Sequence, residues 1–202
     1  MKTTLFITTF MLITNLAVSQ GFDLALSFGT GMNNIVERYD NTINIKYSLP
    51  FSTTYEIKYV LNDAYFYPNL KFAYINSSIS GTNWETNTNI DGEVSSLTTY
   101  LLLEHFKENK SINQGYNFGL GYTSENYIEN LERGKQSESR KFISVLVSTF
   151  LAHKFTDKIT AKLEANIIWA DPVNTFRGKS KWYIAGEDIS FLIYLGIVYH
   201  FK

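Results

Sequence analysis

The side chains that could do chemistry in this chain are few and widely spaced. Histidine occurs only at His105, His153 and His200, and there is no cysteine. None of the histidines has a second histidine or an acid at the close spacing typical of metal ligands, so no metal site is expected. A nucleophile needs a base within hydrogen-bond reach, and no such pair is legible along the chain. Hence no catalytic residue and no cofactor is expected. Gly29, Gly31, Gly119 and Gly121 sit in extended runs, not in the strand–turn–helix setting of a dinucleotide fingerprint. They are better read as space where side chains crowd. What remains is charge pairing among Asp23, Glu56, Glu104 and Glu164 and Lys58, Lys71, Lys154 and Lys162. Whether these meet depends on the elements that carry them.

Those elements announce themselves by alternation with period two. Phe22, Leu24, Leu26 and Phe28 alternate with small or polar residues. So do Phe51, Thr53, Tyr55, Ile57 and Tyr59, then Leu70, Phe72 and Tyr74. In the fourth run Tyr100 to Leu103 is continuously apolar; Leu97, Thr99, Leu101 and Leu103 are assigned outward because that turns Glu104 inward. Tyr116, Phe118, Leu120 and Tyr122 alternate with Gly115, Asn117, Gly119 and Gly121. Three further runs follow, at Ile143 to Leu151, Ile159 to Trp169 and Ile189 to Phe201. Each is long enough to cross a bilayer as a tilted strand, which takes about 9–11 residues.

The connections alternate as well. Short ones fall near Asn62-Asp63, Lys107 to Ser111 and Thr156 to Lys158. Long polar ones are expected over Gly31 to Ser48, Ser77 to Ser95, Ser124 to Ser139 and Asp171 to Glu187. Short turns on one side and long loops on the other is the pattern of an outer-membrane barrel. Residues 1–19 read as a secretory signal peptide: Lys2, an apolar stretch from Leu5 to Val18, and small residues at Ala17 and Ser19 before a cut ahead of Gln20. Residues 20–202 then form one barrel domain. The 14 Tyr, 15 Phe and 3 Pro suit strands. The formal net charge of −1 argues against a nucleic-acid partner.

A soluble eight-stranded barrel of the lipocalin kind is the competing architecture. It needs a polar outside and an apolar inside. Here one face is apolar and aromatic, too extensive to be left in water, and the other carries Gly, Ser, Thr, Asn and charge. The apolar face is therefore assigned to outer-membrane lipid, with Leu120, Val147, Leu163 and Ile193 at mid-depth. The expected fold is all-β: a closed, up-and-down antiparallel transmembrane barrel of eight strands. Strand one pairs with strand eight near Leu24 and Ile197, because no edge can be left bare in lipid. Phe22, Phe28, Tyr59, Tyr67, Tyr74, Tyr122, Trp169, Tyr199 and Phe201 form the expected aromatic girdles. His105 and His153 take the outward phase and His200 the inward one. Glu56, Lys58, Lys71, Glu104, Lys162 and Glu164 take the inward phase as a charge network that plugs the lumen, while Asp23 and Lys154 are expected to be wetted at the mouth.

Near the end of the sequence Gly196, Tyr199 and Phe201 form a Gly-x-x-aromatic-x-aromatic pattern, followed by Lys202, which departs from it. This resembles the C-terminal strand signal through which the barrel-assembly machinery recognises its clients. The chain as a whole resembles small outer-membrane barrels of the OmpX or OmpA transmembrane-domain type. The Ser19-Gln20 junction and the terminal Tyr-x-Phe look most like the PorT-like barrels of Bacteroidota. The resemblance implies a bacterial outer-membrane location and a non-enzymatic envelope protein, structural or interactive, presenting four surface loops. A narrow channel for small solutes and an accessory of an outer-membrane secretion system stay open beside it. Lipid deacylases on this architecture use an outward His, Ser and carboxylate, and no His-x-Ser pair occurs here. In the last loop Arg177, Lys179, Lys181 and Trp182 suit lipopolysaccharide phosphates, unless they are simply solvated.

Overall fold

A computed structural model describes residues 21–37, 43–61, 64–83, 86–107, 112–131, 134–172 and 189–201. Eight strands follow one another: β1 (Gly21–Glu37), β2 (Ile43–Val60), β3 (Tyr67–Asn83), β4 (Thr88–Lys107), β5 (Ile112–Leu131), β6 (Gly134–Lys154), β7 (Ile159–Ala170) and β8 (Ile189–Phe201). Each pairs antiparallel with its neighbours in sequence, and β1 pairs with β8, so the sheet closes into a barrel without an edge through its middle. At that seam Leu24 faces Tyr199 and Leu26 faces Ile197, within two residues of the expected pairing.

The side-chain phase follows the alternation in the sequence. Leu120, Val147, Leu163 and Ile193 point outward and are about half exposed or more, as are Leu101, Leu195 and Ile197. An exterior this apolar is stable only against lipid. Glu104 faces inward and Leu101 and Leu103 outward, which resolves the continuous apolar run of β4 as assigned.

Three features differ from the expectations. The stretches Gly31 to Ser48, Ser77 to Ser95 and Ser124 to Ser139 are not long loops. Most of their residues extend β1 to β6 into strands of 17 to 21 residues. At roughly 3.3 Å per residue and the usual tilt, such strands rise about 40 Å, well beyond an apolar band of about 25 Å. The reason is visible in β3. Past Tyr74 the outward residues are Asn76, Ser78 and Ser80, and the inward ones include Ile75 and Ile79. Once the wall leaves lipid its polarity reverses, so an apolar-outward pattern stops while the strand continues. The fourth stretch, Asp171 to Glu187, lies mostly outside the described residues.

Second, Tyr67 is not a girdle residue. It pairs with Glu104 and shares its inward phase, stacking on Phe106 at 5.0 Å between ring centres. Third, the interior is not wholly polar. Ala73, Ile75, Tyr100, Leu102, Leu146, Ile168, Leu192 and Tyr194 form one buried cluster inside the barrel.

Proline and glycine mark the irregular points. The β2–β3 register slips between Ser48 and Phe51, around Pro50, which has no N–H to give to a ladder. Tyr100 lies directly across from Gly121, and a Cβ on Gly121 would come within 2.4 Å of the Tyr100 ring. Gly29 stands in the same relation to Tyr194. Both tyrosines can lie against the wall only because the opposite residue has no side chain. Replacing Gly121 by valine is expected to destabilise the barrel by about 1–3 kcal/mol through overpacking. Urea unfolding in lipid vesicles checks this; an unchanged midpoint would show that Tyr100 can move aside freely.

Candidate functional site

The inward charges sit where the strand register places them. Glu56 on β2 is directly across from Lys71 on β3, and Asp23 on β1 is across from Lys58 on β2. Lys162 and Glu164 come from β7, on another part of the wall. In the middle of the lumen they form a closed ring of alternating charge. Lys71 Nζ lies 2.8 Å from Glu164 Oε1 and 3.0 Å from Glu56 Oε1. Lys162 Nζ lies 2.9 Å from Glu56 Oε2 and 3.1 Å from Glu164 Oε2. Each carboxylate thus touches both ammonium groups, one through each oxygen. Two of the four contacts, Lys71–Glu56 and Lys162–Glu164, are close ion pairs outside good hydrogen-bond geometry.

The ring has neighbours that complete it. Asn117 Nδ2 donates to Ser148 Oγ at 3.1 Å and approaches Glu164 Oε1 at 3.5 Å. Lys71 Nζ stands over the Tyr194 ring at 5.3 Å and Lys162 Nζ over the Phe150 ring at 4.8 Å. Tyr194 and Ser52 share a 2.7 Å hydroxyl hydrogen bond. A thread of Thr98, Thr123 and Ser144 hydroxyls continues above them, at 2.8 and 2.7 Å. Lys71, Asn117, Leu146 and Glu164 have essentially no solvent exposure. Charge of both signs taken out of water persists only when paired in this way.

A second tier lies toward the short-turn end. Lys58 Nζ bridges Glu104 Oε1 at 2.9 Å and Asp23 Oδ2 at 3.0 Å. Asn69 Nδ2 donates to Glu56 Oε2 at 3.2 Å and to Glu104 Oε2 at 3.4 Å, joining the tiers. Asp23 Oδ1 and His200 Nδ1 are 2.7 Å apart across the β1–β8 seam, and His200 Nε2 and Thr160 Oγ1 are 2.8 Å apart. Carboxylate, imidazole and hydroxyl in this order are also the parts of a nucleophilic relay. However, Thr160 is a buried wall residue paired on both sides, by Lys154 and by Val198. The chain of bonds holds the seam rather than presenting an attacking group.

All six expected network residues are therefore brought together. Asp23 is a correction: it is buried and doubly bound, because β1 and β8 are paired at its height. Lys154 does lie at the wet mouth, exposed and 2.8 Å from Asp157. Asn69, Asn117 and Thr160 were missed, although their inward phase was readable. His105 and His153 stand outside the barrel; His105 stacks on Tyr65 at 4.2 Å and its Nδ1 lies 2.8 Å from the Tyr65 carbonyl oxygen. At the chain end Tyr199 and Phe201 face outward, and Phe201 stacks on Phe22 at 4.5 Å. Gly196 faces inward opposite Ser27 and Lys162; a Cβ there would fall 2.0 Å from Ser27 Oγ. Arg177, Lys179, Lys181 and Trp182, and the expected signal peptide, lie outside the described residues.

No family model and no curated protein matches the sequence. Solved structures do. The outer membrane protein OprG of Pseudomonas aeruginosa matches with a TM-score of 0.62 at 10% identity, over 91% of this chain and 97% of that one. Neisserial surface protein A matches with a TM-score of 0.55 at 13% identity, over 90% and 97%. Ail, the attachment invasion locus protein of Yersinia pestis, matches with 0.52 at 14% identity, over 90% and 99%. The chain has the fold of a small outer-membrane barrel. Likeness at such identity speaks for architecture alone, and what this barrel does rests on its own side chains.

Proposed function

We propose that this chain is a non-enzymatic barrel of the bacterial outer membrane, exported by its N-terminal segment, whose working surface is the raised rim of β1 to β6. The observation that carries the reading is the closed ring of Glu56, Lys71, Lys162 and Glu164. Its charges neutralise one another and fill the mid-section, whereas a selective pore would be lined by one sign and left open. Above the apolar band the outward side chains of β3, Asn76, Ser78 and Ser80, are polar, and the wall there offers area that the barrel middle cannot. By residue type Arg177, Lys179, Lys181 and Trp182 suit lipopolysaccharide phosphates. The end of β8, with Gly196, Tyr199 and Phe201, suits recognition by the barrel-assembly machinery. The PorT-like barrels of Bacteroidota are the type that the sequence pattern resembles.

Planar-bilayer recordings test this. The purified protein is expected to give no steady conductance, and Lys71→Ala or Glu164→Ala is expected to give intermittent openings at most. Steady conductance of the unaltered protein would overturn the closed-barrel reading in favour of a solute channel.

A further inference from the structure

One flank of the outer wall, at the short-turn end, differs from the rest. Going down β4 and β5 the outward pairs change in three rungs. Leu103 faces Phe118, His105 faces Tyr116, and Lys107 faces Gln114. At roughly 3.4 Å per residue the wall passes from apolar to aromatic to charged within about 14 Å of strand. A lipid leaflet presents its chains, its interface and its headgroups in the same order.

The segment before β3 is folded onto this flank. Tyr65 stacks on His105 at 4.2 Å, and Phe66 meets the same ring edge-on at 5.9 Å. Phe66 also reaches past β4 to Phe118 on β5, at 5.6 Å. Tyr116 stands 5.1 Å from the imidazole on a third side. Three rings thus hold the orientation of His105. Its Nδ1 lies 2.8 Å from the Tyr65 carbonyl oxygen, which can only accept. Nδ1 therefore carries its proton, and Nε2 is the nitrogen left for an outside partner; no described residue supplies one. Lys107, exposed and two residues farther along the same face, has no ion pair among the described residues either. No acid takes the outward phase of β3 to β6 on this half of the wall. At the β1–β8 seam the outward residues of the same end are rings without a cation among the described residues: Phe22, Tyr199 and Phe201.

We propose that this flank holds one phospholipid of the inner leaflet by its phosphate. The phosphate lies between the Lys107 ammonium and His105 Nε2, which donates to it in the imidazolium form. The acyl chains lie along Leu101, Leu103 and Phe118. The caged imidazole supplies the fixed point and Lys107 the charge. A headgroup ending in a quaternary ammonium brings a like charge up to Lys107, whereas a glycerol headgroup does not, so the site prefers phosphatidylglycerol to phosphatidylcholine. The proposal rests on the outer-membrane reading, which sets this flank in lipid, and is independent of the closed lumen.

The test is native mass spectrometry of the barrel released from nanodiscs that hold equal amounts of dioleoyl phosphatidylglycerol and dioleoyl phosphatidylcholine. Phosphatidylglycerol is expected to be the first retained lipid by about fivefold, the ratio that one basic residue beside an anionic headgroup gives. Lys107→Gln is expected to bring the ratio to about one, and His105→Gln to lower it. Lys154→Gln, exposed at the same end but in the inward phase, is expected to leave it unchanged. A second reading needs no variant. As the phosphatidylglycerol fraction of the nanodisc rises, NMR signals of the His105 ring and the Gln114 amide are expected to shift saturably, with no saturable change at the His153 ring on β6. Equal retention of the two lipids, a preference that survives Lys107→Gln, a preference lost as fully with Lys154→Gln, or the absence of a saturable shift at His105 would each overturn the proposal. A barrel that does not enter nanodiscs would overturn the outer-membrane reading and this site with it; insertion without preference overturns the site alone.

Discussion

Replacing Lys71 by methionine is expected to destabilise the barrel by about 3–5 kcal/mol, the cost of breaking a buried ion pair and leaving its partners uncompensated. Lys71 is fully buried and is one of only two ammonium groups in the central ring. Without it Glu56 and Glu164 share Lys162 alone, in a space water cannot readily reach. Adding Glu164→Gln to Lys71→Met is expected to cost less than the sum of the two single changes, because the second removes a charge the first left stranded. Lys154→Met provides the contrast. That lysine is exposed and pairs with an exposed Asp157, so its loss should change stability by less than about 1 kcal/mol. Urea unfolding in lipid vesicles, followed by tryptophan fluorescence, measures all four. A Lys71→Met penalty no larger than that of Lys154→Met would mean that the ring is solvated and holds nothing.

Arginine at Leu120 or Val147 is expected to cost about 2–4 kcal/mol, provided the outer face is set in the middle of a bilayer. Both side chains point away from the barrel and are half exposed or more, so an arginine there disturbs no internal packing. The cost comes from lipid. Ser78→Arg makes the same change farther along the wall, at an outward position of the polar extension, and is expected to fall within about 0.5 kcal/mol of no effect. The same vesicle unfolding experiment reads the contrast. Equal costs at Leu120 and Ser78 would remove the membrane boundary drawn between Tyr74 and Asn76.

These two sets of residues also show how much was legible in the sequence. The phase of Leu120, Val147, Leu163 and Ile193 was readable because period two has only two solutions and lipid demands one of them. The same parity placed Glu56, Lys71, Lys162 and Glu164 on one inner surface. Parity says nothing of height, however, so which acid meets which base depended on the register. Asp23 and His200 could have been paired from the expected β1–β8 seam, because setting Leu24 opposite Ile197 brings Asp23 within two residues of facing His200. The long strand extensions were hidden for a different reason. Around Asn76 to Ser80 the solvent on the outer face changes from lipid to water, and the pattern changes sign without the backbone changing conformation. Tyr67 was misplaced because an aromatic near a strand end suits a girdle by type, while its register partner Glu104 sets it inside.

The hydrogen bond between Asp23 and His200 joins the first strand to the last, 177 residues apart in the chain. Loop-closure entropy rises only slowly with such a span, but the order of events is constrained. Every other strand pairs with a neighbour in sequence, so seven hairpin contacts can form while the sheet is still an open, curling ribbon. Until β8 reaches β1, that ribbon has two bare edges, each able to recruit the strand of another chain. The carboxylate and the imidazole mark those edges at the same height. Their meeting, with Phe22 stacking on Phe201 beside them, turns a ribbon of variable curvature into a ring of fixed circumference. Closure sets the diameter at which Lys162 and Glu164 can reach across to Glu56 and Lys71. The central ring is therefore a late product of assembly, and it records that the seam below it has shut in register.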